Sequence, residues 1–301
     1  MTTTPAISGR TIRLPDGRTL GYSESGDVSG APVVLLPGTP GSRLSGEWML
    51  SGQPHAALGV RLVAVDRPGY GTSTPHRRQT FLTVADDLSR LGDALGLDRF
   101  AVLGVSGGGP YAYAAAYARP DRVTRALVIS GAVPPTRKEL RAAERDVRLM
   151  HWFGRSGRLL LPLLAAQMRR AGGGIDSEQG WEQALRRMPP ADRAQLGDRW
   201  RDSGFRAAYA EDVAEAYRST AGFVADCLCL ARGLGFDPAR IRVPVEVWQG
   251  TEDRNVVTAA VQRVTSAIPD CRLHLRPGGH LLVLEVLAEA LHGATTTDGR
   301  R

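Results

Sequence analysis

Asp98-Arg99-Phe100-Ala101-Val102-Leu103-Gly104-Val105-Ser106-Gly107-Gly108-Gly109-Pro110-Tyr111 is the stretch on which the fold turns. An apolar run, Phe100 to Leu103, leads into a glycine-rich turn with one serine at its apex. An Ala/Tyr-rich segment, Tyr111 to Ala118, follows. The pattern predicts a strand, a very tight turn and a helix. Gly104-Val105-Ser106-Gly107-Gly108 fits G-x-S-x-G, the strained elbow that stands a serine hydroxyl above a sheet. Small neighbours are needed because the apex backbone is crowded. Pro110 falls in the first helical turn, where a missing N–H costs nothing. A glycine-rich turn with a capping serine would read the same locally. A dinucleotide fingerprint would not, because G-x-G-x-x-G needs glycine where Ser106 stands.

The rest of the chain decides between these readings. Its 301 residues are 43% hydrophobic and 23% charged, which describes an ordinary globular protein with ample core. No run of eighteen apolar residues exists, so no membrane span is expected. Met1-Thr2-Thr3-Thr4-Pro5 lacks a basic start and an apolar stretch, and no secretory signal is read there. Cys227, Cys229 and Cys271 form neither a zinc pattern nor a disulfide framework, which points to a cytoplasmic location. The net charge is +7. Of the 38 basic residues only Lys138 is lysine, and the arginines are scattered among carboxylates. This reads as genome composition, and no nucleic-acid partner is expected.

Along the chain, Thr11 to Leu14 and Thr19 to Ser23 flank Pro15-Asp16-Gly17 and predict a hairpin. Val33 to Leu36 predicts a buried strand, and Arg61 to Val65, Val123 to Ile129, Val243 to Trp248 and Arg272 to Leu275 predict further strands. Val84, Leu88, Leu91 and Leu95 mark one helical face, with Thr83 and Asp86 as an expected capping box. Leu281 to Leu291 predicts a closing helix. Strands alternating with helices argue an α/β fold with a mainly parallel sheet flanked by helices. The alternation breaks from about Pro134 to Arg240. Helical pieces stand there instead, at 139–152, 159–170, 178–188, 205–217 and 220–232, separated by breakers such as Pro189-Pro190. The expected organisation is a core of residues 1–133 and 241–301, with residues 134–240 as an inserted helical unit.

A serine at pH 7 is a poor nucleophile without a base, and the base needs a carboxylate. The order Ser, acid, His is the one expected on such a sheet. Of six histidines, His55, His76 and His151 precede any late strand. His274 lies within a strand and His292 at a helix end. His280 follows Arg276-Pro277-Gly278-Gly279, directly after the last strand, and is the expected base. The acid should lie in Gln249-Gly250-Thr251-Glu252-Asp253, after the preceding strand. Asp253 is preferred to Glu252, because its shorter side chain suits a fixed bond to the imidazole.

Four segments carry a resemblance. They are Leu35-Leu36-Pro37-Gly38-Thr39-Pro40-Gly41, Asp66-Arg67-Pro68-Gly69-Tyr70-Gly71-Thr72-Ser73, the Ser106 elbow, and Gly250-Thr251-Glu252-Asp253-Arg254-Asn255-Val256 with Gly278-Gly279-His280. In this order they resemble the α/β-hydrolase superfamily, of the cap-bearing serine hydrolase kind. The resemblance implies oxyanion-hole N–H groups from Thr39 and Gly107, and a cap formed by residues 134–240. Pro37-Gly38 and Gln249-Gly250 stand where many relatives have His-Gly. Asp66 and Arg67 are expected to tie down their loop.

The implied activity is hydrolysis of a small to medium, apolar carboxylic ester through an acyl-enzyme. No metal or organic cofactor is required, and the partner is a small-molecule substrate. Aminopeptidase or amidase chemistry, C–C bond hydrolysis and acyl transfer stay open. So do a homo-oligomer and, from another class, a non-catalytic ligand receptor. Trp152, Phe153, Leu159, Leu160, Trp181 and Phe205 would either line the pocket or pack the cap.

Overall fold

The computed structural model describes residues 7–51, 58–157, 159–172, 175 and 177–295; His55 lies outside them. The hairpin is formed by β1 (Ile7–Arg13) and β2 (Thr19–Gly26). Then come β3 (Ala31–Leu36), α1 (Ser45–Met49), β4 (Val60–Val65), α2 (Phe81–Leu95), β5 (Phe100–Val105), α3 (Gly109–Ala118) and β6 (Val123–Ile129). Among the described residues, seven α-helices follow without a strand: α4 (Arg137–Ala142), α5 (Arg145–Arg155), α6 (Leu161–Gly172), α7 (Glu178–Arg187), α8 (Pro190–Leu196), α9 (Ser203–Ala216) and α10 (Ala221–Arg232). The chain returns through β7 (Val245–Gly250), α11 (Thr258–Ala267), β8 (Cys271–Arg276) and α12 (Val283–Thr295). One eight-stranded sheet results, in the order β1-β2-β4-β3-β5-β6-β7-β8. Both pairings of β2, with β1 and with β4, are antiparallel, and all others are parallel.

Both faces of the sheet are covered, which is why the central strands read as unbroken apolar runs. In β3, Val34 and Leu36 join the cluster under α2, α3 and α11, with Val102, Val128 and Val247. Val33 and Leu35 face the opposite way, to α1 and α12, with Leu103, Leu127 and Trp248. Parallel strands bring the loops after β3, β5, β7 and β8 to one edge, the usual place for a ligand crevice. Those loops carry Thr39, Ser106, Asp253 and His280.

Several local expectations differ from the structure. Helix α2 starts at Phe81, not after Thr83; Thr80 is the N-cap, and Thr80 and Thr83 form the reciprocal box. Burial of Phe81 at 2% exposure draws the extra turn into the helix. The strand expected from Val243 begins at Val245, beyond Pro244, which has no N–H for the ladder. The helix expected over 139–152 is two helices broken at Ala143 and Glu144. Pro189-Pro190 does separate two helices, α7 and α8, but Pro190 also opens α8, a helix not expected over 190–196, in a first turn that needs no donor from it.

Candidate active site

The elbow puts Ser106 at φ 51°, a left-handed backbone that a non-glycine residue adopts only under constraint. The crowding is evident at its neighbours. A Cβ on Gly108 would run into the Leu36 carbonyl, and one on Gly104 would stand 2.6 Å from the Gly108 carbonyl oxygen. Ser106 to Gly108 form a single 3-10 turn that runs into α3.

His280 Nε2 lies 2.9 Å from Ser106 Oγ, and its Nδ1 lies 2.9 Å from Asp253 Oδ2. The Asp253 side chain has no exposed surface. Its Oδ1 accepts the Asn255 and Val256 amides at 2.8 and 2.9 Å, and its Oδ2 also accepts Gln249 Nε2 at 3.0 Å. Burial pushes the Asp253 carboxyl up, but the His280 ring and the two amides outweigh it and hold it below the usual carboxylate range. Burial pushes His280 down, and the hydrogen bond and charge of Asp253, with the charge of Asp192, leave it raised. Glu252 is exposed, so it is Asp253 that meets the imidazole.

Thr39 reaches the same place from the loop after β3. A Cβ on Gly107 would collide with the Thr39 side chain and stand 3.0 Å from its amide nitrogen. Thr39, Ser106, Gly107 and His280 together line a cavity of about 410 Å³. Met150, Met168, Phe223, Leu230 and Val257 supply much of its apolar wall. Asp146 and His151, both on α5, add polar groups to the lining. None of the six bulky residues considered from the sequence is part of that lining. Trp181 and Phe205 are buried with Tyr209, and Trp48 joins Phe205 and Tyr209 in the same cluster. Trp152, Leu159 and Leu160 turn outward.

The helices between β6 and β7 also hold the site's loops, which the sequence did not disclose. On α8, Asp192 Oδ1 accepts the Leu281 amide at 3.0 Å and Gln195 Oε1 accepts the Gly279 amide at 3.0 Å. The His280 loop is thus gripped from both sides. On α9, buried Asp212 accepts the amide and hydroxyl of Ser42, the Ser45 hydroxyl and Trp48 Nε1. Asp66 is a tie, as expected: it receives the Arg43 amide at 2.7 Å, Arg43 Nη1 at 2.8 Å and the Thr72 amide at 2.9 Å.

Over residues 31–286 the chain matches the family described as alpha/beta hydrolase fold, and it belongs to that family. It is 31% identical over 196 residues to a proline iminopeptidase of Xanthomonas citri, covering 64% of this chain and 53% of that relative. The chain spans about half the length of the curated relatives it matches. An alpha/beta hydrolase fold protein from Nakamurella multipartita superposes with a TM-score of 0.65 at 25% identity, over 95% of this chain and 99% of that one. The enol-lactonase from Burkholderia xenovorans LB400 superposes with a TM-score of 0.66 at 21% identity, over 94% and 97%. The likeness to the lactonase is one of fold. Among the described residues, no helix is long and apolar enough to cross a membrane.

Proposed function

We propose that this α/β-hydrolase is a serine hydrolase that cleaves a small to medium, apolar carboxylic ester. The observation that carries the reading is the continuous chain Ser106 Oγ, His280, Asp253 with both links at 2.9 Å. In the proposed reaction Ser106 attacks the ester carbonyl while His280 Nε2 takes its proton. Asp253 fixes the tautomer through Nδ1 and balances the imidazolium. The tetrahedral O⁻ is received by the Thr39 and Gly107 amides. His280 then protonates the leaving alkoxide, and a water activated by the same ring releases the acid. Residues 134–240 act as the cap, whose α5, α6 and α10 roof the cavity with apolar side chains.

A second reading is cleavage of an amide next to a free N-terminal amine. The likeness to a proline iminopeptidase and the Asp146 carboxylate on the cavity wall favour it. Both readings are tested by fluorophosphonate labelling of wild type against Ser106→Ala. Turnover of p-nitrophenyl esters of graded acyl length is then set beside prolyl-β-naphthylamide. The ester reading expects labelling at Ser106 and the higher kcat/KM on a medium-chain ester. Absence of labelling removes the serine mechanism, and a higher kcat/KM on the amide selects the second reading.

A further inference from the structure

Beneath the loop that carries Thr39 lies a side chain that the proposed mechanism does not use. Arg67, in the loop after β4, is fully buried. Its Nη1 donates to the Pro37 carbonyl. Its Nη2 donates to the Gly38 carbonyl at 2.9 Å and to Thr39 Oγ1 at 3.1 Å. The partner of this cation comes from α10: Asp226 Oδ2 lies 2.7 Å from Nη2, and its side chain is 1% exposed. Asp226 also accepts the Thr39 hydroxyl at 2.5 Å, the Tyr70 hydroxyl at 2.8 Å and the Tyr111 hydroxyl at 2.6 Å. Both tyrosine rings lie against the guanidinium, at 4.8 and 5.3 Å from its carbon. The carboxylate therefore takes four donors, and the cation reaches two carbonyls of one loop.

The chemistry lies in which carbonyl is reached. The Gly38 oxygen and the Thr39 N–H belong to the same peptide group. A donor on the carbonyl draws electron density toward oxygen, and the N–H at the other end becomes a stronger donor. Here the donor is a full charge in a dry interior, where such polarisation is least screened. Resting on the reading of Thr39 N–H as an oxyanion donor, we infer that Arg67 and Asp226 are a positioning pair for the oxyanion hole. Arg67 polarises and holds the Gly38–Thr39 peptide. Asp226 fixes Arg67 and, through the Thr39 hydroxyl, the loop itself. Helix α10 thus joins two tasks. Phe223, Cys227 and Leu230 line the cavity, and Asp226, on the same helix, sets the donor that receives the reacting oxygen.

The pair predicts a loss confined to the transition state. Asp226→Asn is nearly isosteric, and Arg67→Lys keeps a buried cation that cannot serve two carbonyls and the carboxylate in one plane. In each, kcat on p-nitrophenyl butyrate should fall at least about tenfold, toward the ~10²–10³ that losing one oxyanion donor costs. KM should stay within about threefold. Affinity for an alkyl trifluoromethyl ketone, whose adduct carries the oxyanion, should fall in parallel with kcat/KM, while affinity for butyrate should not. Rates are expressed per Ser106 titrated by fluorophosphonate, so misfolded protein does not count. Tyr111→Phe removes one donor from Asp226, leaves both charges in place and should give a smaller loss of the same kind. Variants with wild-type kcat and ketone affinity per labelled serine would overturn the pair while leaving the serine mechanism intact. A wild type that neither labels nor binds the ketone would overturn the underlying reading instead.

Discussion

Gln249 Nε2 donates to the same Asp253 oxygen that receives His280 Nδ1, at 3.0 Å against 2.9 Å. Gln249 is fully buried, so a neutral amide supports the acid from behind. The Asn255 and Val256 amides occupy the other oxygen, and the carboxylate has little freedom to turn. Asp253→Asn should lower kcat by about 10⁴, the scale of holding the imidazole in the wrong tautomer. Glu252→Gln, at an exposed position, should leave kcat within about twofold. Steady-state rates on one ester decide the matter, and the opposite ranking would move the acid by one residue.

The same contacts set a pH dependence. In the proposed mechanism His280 has to be neutral to take the Ser106 proton, and its pKa is raised from the ordinary 6.5. The rise of kcat/KM with pH should therefore have its midpoint above about 6.5. A pKa raised in the folded state contributes stability that is complete below the unfolded value and is lost as pH rises through the folded one. Asp253 works in the opposite sense: its pKa is lowered, so its share is present above the ordinary carboxylate value and lost as pH falls through the folded one. In the residual activity of Asp253→Asn, burial alone acts on His280 from that side, and the midpoint should move down. A pH profile of kcat/KM for both proteins measures it.

Ser106, Asp253 and His280, which the structure brings together, were legible as candidates because each lies in a short local pattern at a strand end, whereas Thr39 and Gly107 were reached only through the family resemblance. Ser106 has its glycines, His280 follows a Gly-Gly pair, and Asp253 follows a buried strand. Arg67 lies in a segment that carries the family resemblance, but its pairing with Asp226 was not legible, since the two stand 159 residues apart and nothing around Asp226 marks it. Asp192 and Gln195 were hidden for a further reason: Pro189-Pro190 reads as a break, which it is, but nothing in that reading shows that Pro190 also starts the short helix that carries them. The cavity wall was missed because periodicity shows that a helix has two faces, not which one looks inward. On α5, Val147, Met150 and His151 face the cavity and Leu149 and Trp152 face out.

Asp192 offers a separate handle on His280. Its Oδ1 accepts the Leu281 amide at 3.0 Å, and its charge contributes to the raised histidine pKa. Asp192→Asn can keep the acceptor and removes the charge. The midpoint of the kcat/KM profile should shift downward with little change in Tm. Asp192→Ala removes both and leaves the amide without its acceptor, at about 1–3 kcal/mol. Its Tm should fall, and kcat should fall with it as the His280 loop loosens. Thermal unfolding and the pH profile, run side by side, separate charge from grip.

Gly108 tests whether the elbow's tightness is structural, catalytic or both. A Cβ there would run into the Leu36 carbonyl and stand 2.6 Å from that of Pro37, both backbone atoms that have no side-chain freedom to give. Gly108→Ala should cost about 1–3 kcal/mol as overpacking. Since α3 and the loop after β3 must part to admit the methyl, Ser106 should also move relative to Thr39 and His280. Fluorophosphonate labelling should slow by more than the folded fraction accounts for. Gly46 is the matching control: it lies within α1, and among the described residues its Cβ would meet the Leu62 and Leu35 side chains, at 3.4 and 3.8 Å. Gly46→Ala should leave labelling unchanged and hold or raise Tm, since alanine is favoured over glycine in a helix by roughly 0.5–1 kcal/mol. If Gly108→Ala loses stability while its labelling rate per folded molecule stays at the wild-type value, the crowding serves the fold alone.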